Sequence, residues 1–149
     1  MKTIWIASDH AGFELKEDLI QALNTSQKHF KIENLGCFST EPVDYPDFAN
    51  KVALSLEKKA WDEGFGILIC GSGQGMAMRA NKFPWIRAAL VWNRDAVQLA
   101  REHNNANVLV MGSRWTNTPE ALAFVLLFSE TTFAEGRHST RVAKVSSLL

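Results

Sequence analysis

Apolar positions along the 149-residue chain follow two alternating patterns. The runs TIWIA (3–7), FKIENL (30–35), GILIC (66–70), IRAALVW (86–92) and NVLVMG (107–112) are short, rich in β-formers and nearly continuous in apolar character, and they read as strands. Between them the period changes. Helical stretches are predicted from about 13 to 24, 47 to 62, 75 to 82, 94 to 103 and 118 to 130, with Phe13, Leu15, Leu19, Ile20 and Leu23, and again Ala121, Val125 and Phe128, recurring on one helical face. Strands apolar on both faces need cover on both sides, and repeated strand–helix alternation implies parallel pairing with right-handed crossovers. The predicted fold is α/β, with about five parallel strands in one domain over 1–149. GCFSTEPVDYP (36–46) breaks the pattern with turn formers and two prolines and reads as a loop. A tail from about 131 is predicted to turn helical near 138.

Composition narrows the function classes. Sixteen basic residues balance sixteen acidic ones, which argues against a broad nucleic-acid surface or a polybasic membrane anchor, so any anion is expected to bind locally. The N-terminus runs straight into a strand pattern without the apolar core of a secretory signal, and no apolar stretch reaches the roughly 18 residues of a membrane span. A soluble, cytoplasmic protein is expected. Cys37 and Cys70 are too few for a disulfide framework, and no His/Cys spacing points to zinc.

Candidate chemistry gathers where strands end, the edge at which parallel sheets bind ligands. Asp9 and His10 follow the first strand, Cys70 and Ser72 the third, and Gly112, Ser113 and Arg114 the fifth, while His103 and Asn104 end the helix feeding strand five. After Cys70, Gly71, Gly73 and Gly75 alternate with Ser72 and Gln74. Glycine costs about 1 kcal/mol against alanine in regular structure, so this spacing implies a sharp turn or a close approach. A dinucleotide loop does not fit, because the pattern is G-x-G-x-G after the third strand, and no Gly-Lys-Ser/Thr of a phosphate-binding P-loop follows. A tight strand-to-helix turn and a nest of backbone N–H groups for an anionic oxygen both remain open. Beside such a nest a thiolate suits either attack on a carbonyl or removal of a proton from the carbon next to one. Arg137, Arg141 and Lys144 share one helical face, a like-charge arrangement that an anionic ligand would relieve and a solvated surface would tolerate. Trp85, Trp92 and Trp115 are expected in the core or an interface.

Five blocks, SDHAGFELK (8–16), DYPDFA (44–49), CGSGQG with ANK (70–75 and 80–82), AREHNNANVLVMGSR (100–114) and GRHSTRV (136–142), resemble in order the ribose-5-phosphate isomerase B family, which includes galactose-6-phosphate isomerase subunits. The resemblance implies a Rossmann-like, three-layer α/β/α sandwich with strand order 2-1-3-5-4. It also implies a homodimer with sites between subunits, tetramers remaining open, and aldose–ketose isomerisation of a sugar phosphate in the non-oxidative pentose phosphate pathway, without metal or cofactor. By the same resemblance Cys70 is the base that moves the proton from C2 to C1, Ser72 bonds the shifting hydroxyls, and the amides of Gly71, Gly73 and Gly75 hold a cis-enediolate. Asp9 and His103 match the ring-opening pair, with His103 reaching across from a partner. His10, Arg114, Arg137 and Arg141 match phosphate ligands, and Tyr45 and Asn104 match contacts to sugar hydroxyls. Some family members carry a glutamate base where this chain has Met76, which places it with the cysteine type. A six-carbon sugar phosphate, a non-catalytic phosphosugar module and thiol-dependent acyl transfer are the alternatives.

Overall fold

The computed structural model describes residues 1–148. Five strands, β1 (Thr3–Ser8), β2 (Lys31–Asn34), β3 (Gly64–Cys70), β4 (Ala88–Leu90) and β5 (Val108–Gly112), form one parallel sheet in the order β2-β1-β3-β5-β4. Six helices accompany them: α1 (Phe13–Thr25), α2 (Tyr45–Ser55), α3 (Gln74–Ala80), α4 (Arg94–Glu102), α5 (Thr118–Glu130) and α6 (Arg137–Ser146). The order matches the expected doubly wound arrangement.

The period of two along each central strand separates two cores. Ile4, Ile6, Ile67, Ile69, Leu109 and Met111 face α1, α4 and α5, where they meet Leu19, Val97, Val125 and Phe128. Their neighbours Trp5, Ala7, Leu68, Cys70, Val108 and Val110 face α2 and α3, meeting Ala49, Val52 and Met76. Burying a large apolar side chain is worth about 1.5–3 kcal/mol. An exposed ion pair, such as Lys28–Glu130 or Lys31–Glu33, contributes about 0–1 kcal/mol, so the two apolar layers hold the sheet. No described helix is long and apolar enough to cross a membrane.

Local chemistry sets several boundaries. Asn117 and Glu120 form a reciprocal capping box at the start of α5, with bonds of 2.9 and 3.2 Å, and Asn93 accepts from the Ala96 amide at 2.8 Å at the start of α4. Helix α2 stops at Ser55, well short of the predicted 62. Lys58 adopts a left-handed conformation (φ 63°), and Trp61 leaves the helical path to stack on Phe65 with ring centroids 5.6 Å apart. Strand β4 keeps only three of the seven predicted residues because it is an edge strand. Asn81 occupies that edge, accepting from the Ala88 amide at 2.8 Å and donating to the Ala88 carbonyl at 2.9 Å. Of the tryptophans, Trp85 packs beside the second core, whereas Trp92 and Trp115 are 62% and 53% exposed, which excludes the core for these two and leaves the interface half of the expectation.

Candidate active site

Cys70 closes β3 on the face shared with α2 and α3, and it is 5% exposed. Beyond it the chain turns through Gly73 in a left-handed conformation (φ 80°), where a β-carbon would lie 2.4 Å from Leu90 Cδ1. This turn directs the Gly73 N–H back to Cys70 Sγ at 3.1 Å. A donor so placed strengthens as negative charge builds on the sulfur. Ser72 Oγ accepts from the Gln74 amide at 3.2 Å. The Gly73 amide thus serves the thiol itself, whereas the resemblance had grouped it with the amides of Gly71 and Gly75 as a ligand of the enediolate.

The neighbouring strand ends are joined to this loop. Ser113 N–H donates to the Cys70 carbonyl at 2.8 Å and Arg114 N–H to the Gly71 carbonyl at 3.1 Å, while Ser113 Oγ donates to the Ala11 carbonyl at 2.8 Å. Arg114 lies over the loop, with its Nε 3.3 Å from where a Gly71 β-carbon would stand. Asp9 is 6% exposed; its amide donates to the Ile69 carbonyl at 3.2 Å, and its Oδ1 accepts from the Gly12 amide at 3.0 Å. His10 Nδ1 accepts from the Val43 amide at 3.1 Å, which fixes the orientation of the ring. Tyr45, in the first turn of α2, covers Gly75 so closely that a β-carbon there would be 2.4 Å from its ring. Met76 is fully buried, and a thioether has no proton to exchange.

Asp9, His10, Tyr45, Cys70, Gly71, Ser72, Gly73, Gly75 and Arg114 therefore share the carboxyl edge of the sheet. His103, Asn104, Arg137 and Arg141 do not. Helix α4 runs back from the end of β4 to the beginning of β5, so its C-cap His103 and then Asn104 stand at the amino edge. Helix α6 lies there too, since the Ala134 amide donates to the Glu102 carbonyl at 3.0 Å and Arg87 donates to Ser146 Oγ at 3.3 Å. The four steps along β5 alone separate the two edges by about 13 Å. Within one chain the predicted residues thus form two groups facing opposite ends of the sheet.

A residue beside the second group had no assigned role in the sequence. His138 stacks on His103 with centroids 4.3 Å apart and planes 15° from parallel. Partial burial, then His103, Arg137 and Arg141, hold the His138 imidazole below the usual histidine range. Its position between two candidate phosphate ligands was visible in GRHSTR; the contact with a ring 35 positions away was not. Trp92 and Trp115 likewise prove to be neighbours of the glycine loop, lining a cavity of about 420 Å³ with Gln74 and Leu90.

Comparison with known proteins gives this geometry its context. The family model described as Ribose/Galactose Isomerase matches residues 4–145. A ribose-5-phosphate isomerase B from Mycolicibacterium paratuberculosis is 41% identical over 141 residues, covering 93% of this chain and 86% of the relative. A crystal structure of a ribose 5-phosphate isomerase from Thermotoga maritima superposes with a TM-score of 0.90 at 46% identity, covering 97% of both chains. The ribose-5-phosphate isomerase B of Mycoplasma genitalium, with bound ribulose-5-phosphate, gives 0.88 at 42% identity, covering 97% of this chain and 93% of that one. A family match across nearly the whole chain, joined to the same sheet and two-fifths identity, makes this protein a member of the ribose/galactose isomerase family.

Proposed function

We propose that this chain interconverts ribose 5-phosphate and ribulose 5-phosphate by proton transfer through a cis-enediolate. The observation that carries the reading is the Cys70 thiol at a strand end, facing a backbone N–H at 3.1 Å, with Asp9 and Arg114 on the same edge. The bound ribulose-5-phosphate of the Mycoplasma genitalium relative supports the substrate.

Ring opening comes first. Asp9 accepts the O1 hydroxyl proton while His103 protonates ring oxygen O4, so that the C1–O4 bond breaks and C1=O1 forms. Cys70 thiolate then removes the C2 proton, the electron pair forms C1=C2, and negative charge arrives on O1. The Gly71 and Gly75 amides and the Ser72 hydroxyl receive that charge; an oxyanion donor of this kind is worth about 3–4 kcal/mol. The thiol returns its proton to C1, and the O2 proton passes to O1 by way of Ser72, completing the ketose. Arg114, Arg137, Arg141 and His10 bind the phosphate, and Tyr45 and Asn104 the hydroxyls. Their separation on the two edges supports a site assembled from two copies of the chain, with His103, Asn104, Arg137 and Arg141 arriving from the second.

Solvent deuterium should appear at C1 of ribulose 5-phosphate in the presence of the protein, and its absence would overturn the proton transfer. The family description also covers galactose isomerases, so a six-carbon sugar phosphate is the second reading. Progress curves with ribose 5-phosphate, allose 6-phosphate and galactose 6-phosphate separate the two.

A further inference from the structure

We propose that His138 is a positioning residue for the ring-opening acid, a stacked imidazole that fixes the plane of His103. The inference rests on the isomerase reading above. Among the described residues the His103 ring makes no hydrogen bond, so the stack at 4.3 Å and 15° is the contact that orients it. Nearly parallel imidazoles at this distance do not both hold a proton without mutual repulsion, and the fold treats the two rings differently. His103 caps the C-terminal end of α4, where helix dipoles suit a positive charge. His138 is the second residue of α6, at the opposite pole, with Arg137 beside it and Arg141 one turn on. The other charged neighbours do not reverse this bias: Glu102 accepts from Gln98 Nε2 at 2.7 Å, and Glu135 is exposed in the connector before α6. The depressed basicity of His138 agrees with that division. Since ring opening consumes a proton from one oriented nitrogen, a second, uncharged ring behind it holds the donor in line without competing for the proton.

The test separates ring opening from enolisation. Ribulose 5-phosphate is acyclic, so deuterium exchange at its C1 requires Cys70 but no ring-opening acid. For His138→Ala, kcat on ribose 5-phosphate should fall about 10- to 100-fold, the size of effect expected when a reacting group loses its alignment. Exchange at C1 of ribulose 5-phosphate should stay within about threefold of the unmodified protein. His138→Phe keeps a flat ring in the stack and should recover most of the lost kcat. Parallel loss of both activities in His138→Ala, full forward activity in that variant, or no recovery in His138→Phe would each overturn the proposal. Proton NMR of the His103 ring gives an arm independent of turnover. Its ring-current shift should be lost in His138→Ala and retained in His138→Phe, and an unchanged shift in His138→Ala overturns the stacking role. A protein that exchanges no deuterium at all would instead defeat the isomerase reading, with the NMR arm still deciding the role of His138.

Discussion

Replacing Gly75 by alanine tests how the glycine loop and α2 would build the proposed sugar site together. A β-carbon at position 75 would lie 2.4 Å from Tyr45 Cζ, 2.5 Å from Cε2 and 2.7 Å from the hydroxyl oxygen. Ordinary contact is about 3.5–4.0 Å, so the ring must retreat by about 1 Å or more. The atoms struck are the far end of a side chain that is 39% exposed, which lets the ring swing outward and spares the backbone. Overpacking usually costs about 1–3 kcal/mol, and alanine recovers about 1 kcal/mol over glycine within α3. The net loss of stability should therefore be no more than about 2 kcal/mol. Binding should suffer more visibly, because a displaced Tyr45 hydroxyl would forfeit the hydrogen bond to the sugar proposed for it, worth about 0.5–1.5 kcal/mol, raising KM about three- to tenfold with kcat little changed. Thermal unfolding and steady-state kinetics on Gly75→Ala, Tyr45→Ala and the double variant supply the check. With Tyr45 removed, the alanine should become stabilising by up to about 1 kcal/mol. Simple additivity of the two changes, or a loss above about 3 kcal/mol from Gly75→Ala alone, would refute the reasoning.

Other perturbations follow from the same contacts. Cys70→Ala should lower turnover by at least about 100-fold while calorimetry still detects binding of the sugar phosphate; near-normal turnover would remove the thiol from the mechanism. Lys16 is fully buried, paired with Glu17 and donating at 2.9 Å to Asn34 Oδ1, which also accepts from the Gly36 amide at 3.1 Å. Asn34→Ala strips a buried ammonium of a partner and should cost about 2–3 kcal/mol in denaturant unfolding, more than Lys16→Met, which removes the charge as well; the reverse ranking would contradict this account. Burial first, then Arg101 and Lys28, bring Lys2 down from 10.5 to about 8 as it sits 3.8 Å over the Trp61 ring. The folded state then binds fewer protons than the unfolded chain between those two values, so stability should rise with pH across that window, and Lys2→Met should flatten the rise in thermal melts. Identical slopes for the two proteins would count against it.

Much of this architecture is legible in the residues themselves. Ile4, Ile6, Ile67 and Ile69 alternate with Trp5, Ala7 and Leu68, and that period of two, apolar on both phases, already requires a sheet covered on both sides. The end of α2 was hidden because Trp61 falls where a helical apolar face would continue, yet it is claimed by Phe65 and Phe128 from the other layer. The length of β4 was hidden because a side chain, Asn81, takes the place of a strand. In the candidate site, Cys70, Ser72, Asp9 and Arg114 could be found from their positions at strand ends. That His103 lies at the opposite edge follows only once the direction of α4 is known, and the His103–His138 stack only once α6 folds back on α4.

The amide of Asn81 has a consequence for the protein in concentrated solution. A free sheet border offers rows of donors and acceptors to any extended segment that drifts past, and on β4 both groups of Ala88 are already engaged by a side chain that no incoming strand displaces without loss. The opposite border, β2, carries the charged Lys31 and Glu33 side chains, linked at 2.7 Å. Both margins of the sheet are thereby poor templates for fibre growth, and Asn81→Ala is the substitution that would reopen one of them.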